Sequence, residues 1–208
     1  GTSFGIRELQ IPFLGLYGAC STMALSMALA SVLVDSLVVN NAVASTSSHF
    51  ASAERQFRLP LEYGGQRPPS AQRTATASGA TVISNYTGNA THIEAVIFGK
   101  IMDFGIKDAN NMGAAMAPAA FQTIRAHFED LKTGPEAFDL IVTGDLGQLG
   151  KEMLMELARR DGISLGGKLA DCGTLVFDNT TQDVHAGGSG CGCSAITLCG
   201  ELLDKLNT

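Results

Sequence analysis

Tryptophan is absent from this chain of 208 residues, and charge is sparse at 16% of positions. Intrinsic disorder needs far more charge and fewer apolar residues than the 45% found here, so the composition describes a folded α/β protein with an aliphatic core. Basic residues are in the minority, 14 Lys and Arg against 20 Asp and Glu, for a formal net charge of −6. That balance argues against nonspecific nucleic-acid binding, which needs a basic face. Long apolar runs are missing too. The longest, Met23 to Val34, ends at Asp35 and falls short of the ~20 residues a membrane span requires, so it reads as a buried helix. Residues 1–15 lack the basic start and apolar run of a signal peptide. Five cysteines form an odd set with no disulfide framework, and a reduced intracellular compartment is the expectation.

What the chain does have is glycine, 24 of them, clustered where apolar runs end. The pattern predicts strands at Ile11–Tyr17, Val38–Ser45, Ala75–Ser84, Ile93–Asp103 and Phe138–Thr143. It predicts helices at Met23–Ser36, Lys151–Arg160 and Ala195–Leu206, and one from Pro118 to Leu131 with the proline in its first turn. Leu175–Phe177 and Val184–Ala186 read as a hairpin around Asn179. Between His49 and Arg73 the chain turns polar and rich in Arg, Pro and Gly, the mark of a surface excursion that often carries function. Two successive α/β blocks suggest two halves, residues 1–90 and 91–208.

Four features could carry chemistry. Cys20 stands where a strand is expected to give way to a helix, flanked by small residues; a helix N-terminus favours a thiolate, although most free cysteines are buried and inert. The loop Gly187-Gly188-Ser189-Gly190-Cys191-Gly192-Cys193-Ser194 could wall a pocket or simply form a tight turn. Its single C-x-C lacks the two further ligands of a zinc site, so no metal and no cofactor are expected. Asp145, between Gly144 and Gly147 at a strand end, suits a pocket residue or a helix cap. Finally, four of the eight arginines, Arg55, Arg58, Arg67 and Arg73, fall within nineteen residues of an acidic chain. Arginine pairs bidentately with carboxylates, so the cluster suits a ligand bearing several of them, with ordinary surface pairs to Glu54 and Glu62 as the plainer alternative. His49, just before the excursion, could act as a base or merely as a hydrogen-bonded side chain.

Several runs are long and unusual: Leu16-Tyr17-Gly18-Ala19-Cys20-Ser21-Thr22-Met23, Glu62-Tyr63-Gly64-Gly65-Gln66-Arg67-Pro68-Pro69, Asn110-Asn111-Met112-Gly113 and Ile141-Val142-Thr143-Gly144-Asp145-Leu146-Gly147, with the loop 187–195. Together they make the chain resemble the stage V sporulation protein AD family, similar in fold to thiolases and β-ketoacyl carrier-protein synthases. The resemblance implies a thiolase-like fold of two βαβ-rich halves in an αβαβα layering, incomplete here at both ends. It implies binding of dipicolinic acid (pyridine-2,6-dicarboxylate), free or as a calcium chelate, by a peripheral protein of the spore inner membrane. Its partners there would be integral membrane subunits of the same transport assembly, with a homodimer as a further option. Condensing relatives use a Cys-His-Asn set. Carried over, Cys20 falls on the nucleophile, Gly144 near the histidine and Ser189 near the asparagine, so no catalytic set is expected. The ligand-binding candidates are Cys20, His49, Arg67, Asp145, Ser189 and Cys191. The contrasting readings are an acyltransferase acting through Cys20 and a scaffold that only docks membrane subunits.

Overall fold

A computed structural model describes residues 2–57, 66–86, 88 and 90–206, without the side chains of residues 2 and 54–57. The architecture is mixed α/β. In chain order it runs α1 (Thr2–Arg7), α2 (Thr22–Asp35), β1 (Asn41–Ser48), α3 (Phe50–Phe57), β2 (Arg73–Thr74), β3 (Ala77–Ser84), α4 (Met112–Leu131), β4 (Ile141–Thr143), α5 (Gly147–Arg160), β5 (Leu169–Asp171), α6 (Cys172–Leu175), β6 (Gly188–Ser189), α7 (Cys191–Thr197) and α8 (Leu203–Leu206), with a π-helical turn at Leu198–Leu202 joining the last two. Among the described residues no helix is long and apolar enough to cross a membrane.

The strands form three pairs. β1 and β3 run antiparallel, with Val43 opposite Val82, while β2–β6 and β4–β5 are parallel. β4, α5 and β5 make a βαβ unit, the connection that a parallel pair requires. Helices α2 and α7 pack on β1 and β3. They cover the face that buries Ala44, and leave Val43 and Val82 exposed on the other.

The larger core lies between α4, α5 and β5. Ala114, Ala117, Phe121 and Phe128 recur at helical spacing along α4, and Leu154 and Ala158 answer them from α5, with Leu146, Leu165 and Leu169 closing the cluster. The helices approach closely because two glycines face each other. A methyl group on Gly113 would lie 2.8 Å from the Leu146 carbonyl oxygen and 2.9 Å from the Gly150 nitrogen. A second, smaller core gathers Ala75, Cys172, Cys193 and Leu202.

Several expectations need correction. Ile11–Tyr17 and Ile93–Asp103 form no strand, and Leu14, Tyr17, Phe98 and Ile101 are exposed. A strand exists only where a neighbour takes up its backbone groups, and neither segment has one among the described residues. The helix expected from Pro118 begins six residues earlier, at Met112, because Asn111 caps it by accepting from the Ala114 N–H at 3.1 Å. Pro118 therefore lies inside α4 rather than in its first turn. The expected hairpin is replaced by α6 and a turn, in which Asp178 accepts from the Thr180 N–H and from the Thr180 and Thr181 hydroxyls. Strand β1 starts three residues later than expected and extends to Ser48.

The glycine contact sets a stability test. Gly113→Ala gains helix propensity but forces a methyl group into fixed backbone, and overpacking of this kind costs about 1–3 kcal/mol. Urea unfolding of the variant should show a net loss of about 1 kcal/mol or more; unchanged stability would mean that the helices separate freely at this point.

Candidate functional site

Cys20 lies in a single 3₁₀ turn, Ala19–Ser21, that runs directly into α2. The turn is held by its own side chains. Ser21 Oγ donates to the Gly18 carbonyl at 2.6 Å, and Thr22 Oγ1 donates to the Ala19 carbonyl at 2.7 Å while accepting from the Gly18 N–H at 3.2 Å. Ala19 adopts φ 47°, a left-handed conformation uncommon for a residue with a side chain. A strained residue before a cysteine sharpens the turn on which the thiol is presented.

Asp145 and the glycine loop meet Cys20 there. The Asp145 carboxylate, 5% exposed, accepts the Gly190 N–H at 2.8 Å and the Cys20 thiol, and the Gly190 N–H also faces the Cys20 sulfur. Cys20 thus touches both segments that the sequence pointed to. The thiolate expected at this helix start does not follow, however. Burial and the adjacent Asp145 carboxylate push the thiol far above its ordinary value, and the Gly190 N–H only partly opposes them. Cys20 is a neutral hydrogen-bond donor. Burial and Asp171 push Cys172 up to about 12, and burial and Asp145 raise Cys193 as well.

Two residues that attracted no attention in the sequence hold this arrangement. Gln72, nearly fully buried, donates from Nε2 to the Asp145 carbonyl and to the Gly188 carbonyl, each at 2.8 Å, and so links the two glycine-bearing loops. Asp171, with no exposed surface, accepts from Thr143 Oγ1 at 2.6 Å and from the backbone N–H groups of Leu146, Gly147 and Gly173 at 2.8–2.9 Å. Burial pushes its carboxyl above the ordinary value while the four donors pull the other way.

On the far side of Gly190 a cleft of about 600 Å³ opens, lined by Ser47, Ser48, His49, Ser52, Thr76, Ser78 and Cys191, with Ala53 and Ala77. Gly190 turns the chain into α7 at φ 96°, and Gly192 lets that helix lie on the strands, where a methyl group would meet the Ala77 carbonyl oxygen at 2.4 Å. Ser48 Oγ accepts the Gly192 N–H at 2.9 Å and donates to the Ala75 carbonyl at 2.7 Å. Cys191 Sγ donates to the Ser47 carbonyl at 3.0 Å. His49 is exposed at the cleft edge and caps α3, its Nδ1 accepting from the Ala51 N–H at 3.3 Å.

The six candidates are therefore placed unevenly. Half-buried Cys20 and buried Asp145 share a corner, while His49 and Cys191 line the cleft. Ser189 is buried in β6, paired with Thr74. Arg67 is not in the cleft wall; its Nη1 donates to the Gln72 carbonyl at 3.0 Å. Arg67 and Arg73 both approach the Phe50 ring, at 5.9 and 4.6 Å from its centroid. Arg58 and the Arg55 side chain lie outside the described residues. At Gly144 a methyl group would meet only Ser194 Cβ, at 3.7 Å, so the glycine there is not imposed by crowding.

Fold and site together define a mixed α/β protein that surrounds a protonated cysteine with two glycine-bearing loops. Residues 1–208 match the model of the Stage V sporulation protein AD family, and the chain belongs to that family. It is 48% identical over 200 residues to Stage V sporulation protein AD of Bacillus subtilis (strain 168). The match takes in 96% of this chain and 59% of that relative, so the chain spans about three-fifths of the relative's length.

The thiol's surroundings predict its reactivity. Only thiolate reacts with iodoacetamide, so Cys20 should alkylate slowly at pH 8, and Asp145→Asn should raise the rate about tenfold or more by removing the facing charge. Mass spectrometry of the Cys20 adduct measures this; an unchanged rate would mean that Asp145 does not hold the proton. Raised thiol values in the folded state also fix the sign of a pH effect. Stability is independent of these thiols below the ordinary value of 9.0 and falls as pH rises from there toward about 12, because the unfolded chain ionises first.

Proposed function

We propose that this protein binds dipicolinic acid without turning it over, as a peripheral component of a transport assembly at the inner membrane of the developing spore. The observation that carries the reading is the cleft between α3, α7 and the β1–β3 pair. Among the described residues its wall holds five hydroxyl groups, a histidine and a thiol but no carboxylate, in a chain of net charge −6. Hydroxyl and backbone N–H donors suit carboxylate oxygens, and the start of α3 adds the positive end of a helix dipole. Two arginines collect on Phe50, whose backbone N–H is held by Thr76 Oγ1 of the same wall at 2.9 Å.

The relative bears the name Stage V sporulation protein AD, which supports a place in spore formation. A thiolase-like αβαβα ancestry belongs to the same proposal, with Cys20 at the nucleophile position and Gly144 where a base would stand. The acid would enter free or as its calcium chelate. Docking to integral membrane subunits, with or without dimer formation, would bring it to the membrane. An acyltransferase acting through Cys20 is disfavoured by the protonated thiol and by the absence of an imidazole at Gly144.

Calorimetric titration of the full-length protein with dipicolinate tests the reading. Ser78→Phe fills the cleft from an exposed strand position and should weaken binding at least about tenfold, equivalent to about 1.4 kcal/mol. Acyl-coenzyme A donors should leave no adduct on Cys20. Absence of dipicolinate binding would remove the proposal, and steady thioester turnover lost in Cys20→Ala would replace it with the acyltransferase.

A further inference from the structure

We infer that Arg73, stacked on Phe50 next to the cleft residues His49 and Thr76, selects for a second carboxylate on the ligand; the inference rests on the cleft being the binding site. Among the described residues the cleft wall offers hydroxyl groups, a thiol and His49, so its hydroxyl groups can hold one carboxylate but give little advantage to a second. A charged, planar donor beside the wall changes that, because guanidinium meets a carboxylate with two parallel hydrogen bonds.

Among the described arginine side chains, Arg73 fits this role. Arg125, Arg159 and Arg160 are engaged with carboxylates, and Arg67 gives Nη1 to the Gln72 carbonyl. Arg73 is exposed, and its guanidinium stacks 4.6 Å from the Phe50 centroid with no carboxylate partner among the described residues. Stacking fixes the plane of the group while leaving its N–H edges for a ligand, so less freedom is lost on binding.

Both ends of the platform are anchored to the cleft. Arg73 opens β2, where its N–H donates to the Gly187 carbonyl at 2.9 Å, and three residues later the same segment supplies Thr76 to the wall. Phe50 follows His49 directly, and its N–H donates to Thr76 Oγ1. A ligand whose first carboxylate lies among Ser47, Ser78 and the start of α3 would carry a second one, across a small ring, toward the stacked guanidinium.

The test compares pyridine-2,6-dicarboxylate with pyridine-2-carboxylate by calorimetry on the full-length wild type, Arg73→Gln and Arg73→Lys. Wild type should prefer the diacid by about tenfold or more, the range expected of one charge-assisted contact. Arg73→Gln should lose the preference while its affinity for the monoacid stays within about twofold, and Arg73→Lys, charged but without the fork, should fall between. A thermal melt matching wild type excludes misfolding, since the position is exposed. If wild type binds the diacid and Arg73→Gln keeps the preference, Arg73 is not the selector and the binding reading stands. If wild type binds neither acid, the binding reading fails and this inference goes with it.

Discussion

The carboxylate of Asp171 accepts four hydrogen bonds with no solvent contact, and the loop that carries Asp145 is positioned through it. Its donors come from the end of β4 (Thr143), the start of α5 (Leu146 and Gly147) and the first turn of α6 (Gly173), while Asp171 itself ends β5. Each helix start leaves N–H groups that its own ladder cannot use, and a buried anion satisfies three of them at once. Taking a carboxylate out of water is costly, and only this density of charge-assisted bonds offsets it. The consequence is local rigidity in residues 144–147, between β4 and α5. Asp145, between two of those anchored positions, has little freedom to turn away from the corner it occupies.

From Asp145 the constraint passes outward. Its carboxylate fixes the Gly190 N–H, and Gly190 sets the direction of α7, whose first turn lies on Ser48 and Ala77 through the missing side chain of Gly192. Gln72 closes the circuit from behind by holding the carbonyls of Asp145 and Gly188 together. The cleft is therefore the visible end of a chain of contacts that begins at β5. Its floor is two cross-strand neighbours, Ser47 and Ser78, and its lip is a helix start on either side. Loss of any internal link would alter the cleft without touching a residue that lines it.

How far the sequence discloses this depends on whether a feature is local. Helix α2 is legible because its small and apolar residues run without a break, and β3 because its small and β-branched residues favour a strand, although they do not state which face is covered. The two glycine-bearing loops are legible because glycine marks where backbones must approach. Ile11–Tyr17 and Ile93–Asp103 mislead because an apolar run shows only that a segment could be buried, never what would bury it. Asp171 and Gln72 leave little signal for a different reason. Asp171 caps its own helix at Gly173, which an Asp before a helix can suggest, but its other backbone partners and those of Gln72 lie 24–25 and 73–116 residues away, and backbone groups are the same under every sequence. The arginine cluster is visible as a cluster, but only three dimensions show that its members Arg67 and Arg73 meet on Phe50 and that the first is also tied to the Gln72 carbonyl.

Electrostatics then decides which side of Gly190 an anion can occupy. The corner contains a carboxylate next to a thiol that stays protonated, with a second carboxylate behind it at Asp171. A carboxylate placed there would meet like charge, and the Gly190 N–H already serves Asp145. The cleft side has the opposite character: hydroxyl groups, the N-terminal end of α3, and a guanidinium held over Phe50. Negative charge is favoured on that side over the corner, and Cys20 is not among the residues that line the cleft. The same carboxylate that holds Cys20 in its thiol form thus also disfavours further negative charge in the corner beside it, so the state of the thiol and the electrostatics of the corner follow from one group.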